Sequence, residues 1–131
     1  MEELPIKVSD DIVRVRQQVR SAAVTSGLSL VDQTKIITAA SEIARNALVY
    51  GGGGSARIEA SMSPAGRPGI RIIFTDHGPG IPDVNLALMD GWSSGSGLGL
   101  GLSGARRLVD EFGLETEAGA GTRVVVAKWS R

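Results

Sequence analysis

The sequence reads as an α/β chain, an α+β two-layer sandwich whose helices cover one face of a mixed or antiparallel sheet. Three observations lead there. The hydrophobic period is helical up to Leu48 and turns extended after the four glycines Gly51 to Gly54. Alternating apolar segments then follow one another across turns bearing proline and glycine, as antiparallel neighbours do. One more helical stretch separates these segments into two pairs, which gives the order β-α-α-β-β-loop-α-β-β.

Each element has a local reason. Leu4 to Val8 alternates and predicts a short edge strand. Ser9 is placed to cap a helix with Ile12, Val15, Val19, Ala22 and Ala23 on one face, ended by Gly27. Ser29 caps the next, with Asp32 in its first turn and Ile36, Ile37, Ala40, Ile43, Ala44, Ala47 and Leu48 at helical spacing. Ser55 to Met62 alternates, Ser63 to Gly69 turns, and Ile70 to Asp76 runs apolar, so two adjacent strands are expected. Leu102 to Phe112 again carries apolar residues at helical spacing (Leu102, Ala105, Leu108 or Val109, Phe112). Leu114 to Glu117 and Thr122 to Trp129 read as strands across the turn Ala118 to Gly121.

Composition narrows the function classes. At 131 residues the chain makes one domain, 1–131, with 42% hydrophobic and only 4% aromatic residues, so its core is aliphatic. Fourteen basic and 14 acidic residues cancel, which argues against a nucleic-acid or membrane-surface partner. With no cysteine and one histidine, disulfides, thiolate metal sites and multi-histidine centres are excluded. No apolar run reaches bilayer length and the acidic start Met1-Glu2-Glu3 is unlike a signal peptide, so a cytoplasmic protein is expected.

The chemistry gathers around Gly91 to Leu102, read with Asp76-His77-Gly78-Pro79-Gly80. Glycine at every second position from Gly95 to Gly101 removes Cβ atoms and permits positive φ, so successive N–H groups can converge on an anion. The glycines lead into a helix start, which favours phosphate. A P-loop is excluded because no Lys-Ser or Lys-Thr follows them. A dinucleotide fingerprint fits poorly, since no strand-like segment precedes them and only 30 residues follow Gly101. A surface loop without a ligand stays open on this stretch alone.

Glu42 and Asn46 stand four apart on the second helix and share a face. An amide oxygen is a hard ligand for Mg²⁺ and a carboxylate can take a proton from an attacking hydroxyl; a solvated polar pair would look the same. Asp76 ends an apolar strand and enters a glycine bend, where it could accept hydrogen bonds from a ligand's amino group or merely close a turn on itself. Thr122 opens the last strand after Gly121, as ordinary β preference also allows. His77 takes no role.

The conjunction is more specific than its parts. Glu42-x-x-x-Asn46, Asp76-x-Gly78-x-Gly80, Gly97-x-Gly99-x-Gly101 and Gly121-Thr122, in that order, resemble the Bergerat-type (GHKL) ATP-binding fold. That fold is shared by histidine kinases, gyrase-type topoisomerases, large heat-shock chaperones and MutL repair proteins. Ser41 to Asn46, Asp76 to Asp83, and Gly97 to Leu102 through Phe112 narrow the likeness to small bacterial serine/threonine kinases of partner-switching modules. Within these the stressosome-kinase (RsbT) type is nearest and the anti-sigma kinases neighbour it. The resemblance implies ATP and Mg²⁺ as cofactors, with Glu42 as general base and Asn46 as the metal ligand. It implies Asp76 as acceptor for the adenine amino group with Thr122 as helper, and Gly78, Gly80 and Ile81 along the adenine. Gly97, Leu98, Gly99, Leu100 and Gly101 would form a lid over the phosphates, and Tyr50 would lie near the nucleotide. Arg45, Arg106 and Arg107 are the nearby cations. The implied substrate is a STAS-domain protein; a metal-dependent serine/threonine phosphatase or a sigma factor is a further implied partner. The alternative is a nucleotide-gated binding module, an anti-sigma factor or phosphatase activator, with little phosphotransfer.

Overall fold

A computed structural model of the chain describes residues 2–78, 101–117 and 119–131. Among these, β1 (Glu2–Ile6), α1 (Ser9–Thr25), α2 (Leu30–Val49), β2 (Gly54–Met62) and β3 (Pro68–Asp76) precede α3 (Gly101–Arg107), β4 (Glu111–Glu117) and β5 (Gly121–Trp129). The strands form one sheet in the order β1-β2-β3-β5-β4, with every neighbouring pair antiparallel. The expected two-layer α/β architecture therefore holds, and the sheet is antiparallel.

Period-2 burial selects the covered face. In β3, Ile70, Ile72 and Phe74 are buried while Arg71, Ile73 and Thr75 between them are half-buried; Val124 and Val126 of β5 join the buried row. Against it α1 lays Val15, Val19 and Ala23, and α2 lays Ile36, Ala40, Ile43 and Ala44. Each fully buried isoleucine contributes roughly 1.5–3 kcal/mol relative to exposure. Small side chains at Ala39, Ala40, Ala44 and Ala47 let α2 lie close to its neighbours.

Three boundaries differ from the sequence reading. The first strand ends at Ile6, not Val8, because the Asp11 carboxylate accepts the N–H groups of Lys7 (2.8 Å) and Val8 (3.1 Å) and bends the chain into α1. Val8 then occupies the N-cap that Ser9 was expected to hold. Those two N–H groups, and the Arg14 guanidinium 2.7 Å away, hold the Asp11 carboxyl below its ordinary value. At the second helix Ser29 caps as expected, its Oγ accepting from the Asp32 N–H at 3.1 Å.

The third difference is the largest: α3 stops at Arg107 and residues 111 and 112 belong to β4. Two periods overlap there. Phe112, Leu114 and Thr116 alternate along β4 and pair with Val126, Val124 and Thr122, and the ladder continues with Asp110 N–H to the Ala127 carbonyl at 2.9 Å. Sheet hydrogen bonds and burial of Phe112 beside the core outweigh helix continuation.

At the N-terminal end of α2 lies a charge cluster that the sequence reading did not contain. Lys128, with its side chain 4% exposed, sits 3.6 Å from Asp32 and 3.4 Å from Asp110, and Arg131 also reaches both carboxylates. Burial raises the Asp110 carboxyl, but the Trp129 N–H at 2.8 Å and the two cations outweigh it and hold the group below its ordinary value.

Candidate active site

The site is built at the opposite end of α2, where the helix runs out. Glu42 and Asn46 are both half-buried, one turn apart, on the flank of the stripe formed by Ile43, Ala44 and Ala47. Asn46 also ends the helix: its carbonyl accepts the N–H groups of Tyr50 (2.9 Å) and Gly51 (3.2 Å). Tyr50, at the C-cap, is exposed.

The glycine run after Tyr50 is a tight junction. A Cβ on Gly51 would stand 2.5 Å from the Asp76 Cγ, and one on Gly78 would stand 2.6 Å from the Gly51 Cα. Gly53, with φ +106°, folds its N–H back onto the Ala47 carbonyl at 2.9 Å. Only glycine lets the end of α2, the start of β2 and the bend after β3 approach this closely.

Asp76 is the last residue of β3 on the helix-covered face, in phase with Ile72 and Phe74. Its Oδ1 accepts the Gly78 N–H at 3.0 Å, so the turn-closing role and the ligand role coexist in one carboxylate. Behind it, Gly121 (φ +106°) packs against the Asp76 backbone with no room for a side chain. Thr122 pairs with Asp76 across the β3–β5 ladder, so two residues far apart in sequence stand side by side. These residues edge a groove of about 250 Å³ that also takes in Thr75, His77, Thr116 and Arg123.

Gly101 starts α3 with φ +67°, and its N–H donates to Glu42 Oε2 at 3.4 Å. Leu102 and Ala105 of α3 are buried in the common core, which fixes that start beside α2. Glu42, Asn46, Asp76, Gly78, Gly101 and Thr122 thus line one end of the molecule, with Tyr50 at its margin. Gly80, Ile81, Gly97, Leu98, Gly99 and Leu100 lie outside the described residues. Arg106 and Arg107 are exposed at the end of α3.

Sequence reasoning missed Gly51 and Thr116. The signal for Gly51 was its position directly after the helix bearing Asn46, where a flexible run would serve no purpose. Thr116 carries no local signal, because only register brings it to Thr122.

The family described as histidine kinase-, DNA gyrase B-, and HSP90-like ATPase matches residues 31–130. The chain is 47% identical over 121 residues to serine/threonine-protein kinase RsbT of Bacillus subtilis (strain 168), covering 92% of this chain and 90% of that protein. Among solved structures, that of the RsbU and RsbW domains of Rv1364c from Mycobacterium tuberculosis aligns with all of this chain at TM-score 0.64 and 23% identity. This chain spans 33% of that one, and the likeness concerns the fold.

Proposed function

The chain belongs to the histidine kinase-, DNA gyrase B- and HSP90-like ATPases and is an ATP-dependent serine/threonine-protein kinase, and from that premise we propose its substrate and its working residues. As a single cytoplasmic domain, it transfers the γ-phosphate of Mg-ATP to a serine or threonine of a STAS-domain antagonist protein in a bacterial partner-switching pathway. The observation that carries the assignment of residues is the contact between Glu42 and the Gly101 N–H at 3.4 Å, which joins the polar face of α2 to the end of the glycine-rich segment. A phosphoryl group near the start of α3 at Gly101 would lie beside a carboxylate.

The donor set suits the nucleotide and its metal. Asp76 offers acceptor oxygens beside a glycine-lined floor on which a flat base can rest. Asn46 offers one neutral oxygen, and no group of three or more His, Cys, Asp or Glu forms a metal cage among the described residues. Mg²⁺ ordinarily keeps several waters and shares phosphate oxygens, so a single protein oxygen serves it. When bound, it neutralises charge on the phosphate oxygens. Glu42 takes the proton from the acceptor hydroxyl as that oxygen bonds to the γ-phosphorus and the bond to ADP breaks.

The test is the intact mass of a cognate STAS-domain protein after incubation with this protein and Mg-ATP. Gain of one phosphate on serine or threonine is expected, and it should be absent with Glu42→Ala, whose ATP affinity stays within about threefold because the substituted group acts on the acceptor. Equal transfer by Glu42→Ala would remove Glu42 from the base role. Binding of ATP without transfer by the unmodified protein would favour a nucleotide-gated binding module.

A further inference from the structure

Three polar residues form a single cross-strand row at the site end of the sheet. Asp76 of β3 is opposite Thr122 of β5, and Thr122 is opposite Thr116 of β4. All three are in phase with the buried residues Phe74 and Val124 and with Leu114, so the row faces the helix layer. Thr116 Oγ1 lies 3.0 Å from Thr122 Oγ1 and 3.3 Å from the Gly121 carbonyl oxygen.

Proton counting gives this row a direction. A carbonyl oxygen only accepts, so the one hydroxyl proton of Thr116 goes to Gly121. The bond between the two threonines admits either hydroxyl as donor, and both contacts of Thr116 are satisfied together when Thr122 donates it. With its proton committed to Thr116, Thr122 Oγ1 has only lone pairs left for the groove. The Asp76 carboxylate likewise offers acceptor oxygens, with Oδ1 already receiving the Gly78 N–H. The row therefore offers acceptors and no donor to the edge of a bound base.

We propose that Thr116 is a positioning residue that sets base specificity: by taking the proton of Thr122, it makes this end of the groove complementary to a 6-amino purine and hostile to a 6-oxo purine. The inference rests on the reading of Asp76 and Thr122 as the base-binding pair. An exocyclic amine brings two N–H donors to the row. A 6-oxo group would set lone pairs against lone pairs, leaving buried acceptors unpaired, and rejection of this kind is stronger than a lost contact alone.

The test compares dissociation constants for Mg-ADP and Mg-IDP by calorimetric titration, which avoids turnover. Unmodified protein should prefer ADP. Thr116→Val keeps the side-chain shape and removes the hydroxyl, freeing the Thr122 proton to rotate toward the groove, and should shrink the ADP-to-IDP preference by roughly tenfold. Thr116→Ser should retain the preference within about twofold, and Thr116→Val combined with Thr122→Val should be no less selective than Thr122→Val alone. An unchanged preference in Thr116→Val, or equal weakening of both ligands, overturns the proposal alone. Failure of the unmodified protein to bind either diphosphate overturns the base-site reading and the proposal with it.

Discussion

Glycine acts differently at Gly119, Gly121 and Gly51, and the three separate backbone strain from site geometry. Gly121 and Gly119 both have positive φ, +106° and +79°, but a Cβ on Gly121 would collide with the Asp76 carbonyl while one on Gly119 meets nothing within 4 Å. Gly119→Ala should therefore cost only the left-handed backbone penalty, about 1–2 kcal/mol, and leave ADP affinity unchanged. Gly121→Ala adds displacement of Asp76 and should cost more in stability while weakening ADP binding at least tenfold. Gly51→Ala, without positive φ, presses on the Asp76 side chain and on the Ala47 carbonyl and should weaken nucleotide binding as well as stability. Paired denaturation curves and calorimetric titrations distinguish the three; equal ADP affinity in Gly121→Ala and Gly119→Ala would detach Gly121 from the site.

At the scale of elements, α2 links two chemically different ends. Its N-terminus is held by the Ser29 cap and by the Asp32–Lys128 pair, while its C-terminal turns carry Glu42 and Asn46. Ser29→Ala should cost about 1 kcal/mol. Removing one member of a buried pair strands its partner, so Lys128→Met should cost about 3 kcal/mol in urea denaturation; Arg131, which still reaches Asp32 and Asp110, keeps the loss at the lower end of the range for such changes. A loss below about 0.5 kcal/mol, the range of an exposed pair, would mean that the cluster does not hold α2. The helix itself was legible from seven apolar positions at helical spacing, because burial of α2 against the sheet follows the same stripe. The end of α3 was not, because the residues that continue its period also fit a strand.

For the molecule as a whole, charge placement sets the response to acid. The carboxyls of Asp11 and Asp110 are held below the ordinary aspartate value of 3.8 in the folded state. In the unfolded chain they protonate first as pH falls, so between the folded and ordinary values the unfolded state binds more protons and stability rises with pH. Their contribution should be complete above about pH 5 and lost as pH drops through the folded-state values. Urea midpoints should stay level from neutral pH to that point and then fall. Asp110→Asn should lower the neutral-pH midpoint and flatten the acid decline; an unaltered acid slope would exclude Asp110 as a contributor.

The sequence by itself determined the two-layer architecture, the long helix with Glu42 and Asn46 on one flank, and the strand that delivers Asp76 into a glycine bend. Those features depend on residues within a few positions of one another, where helical or strand period, capping and turn chemistry act. Tertiary structure alone decided that β4 claims Phe112 from α3 and that Lys128 lies between Asp32 and Asp110. It also decided the row of Asp76, Thr122 and Thr116, and the packing of Gly51 and Gly121 around it. Cross-strand register and helix-to-sheet contact bring together residues that no local period relates, and the direction of a hydroxyl proton depends on which acceptor that register supplies.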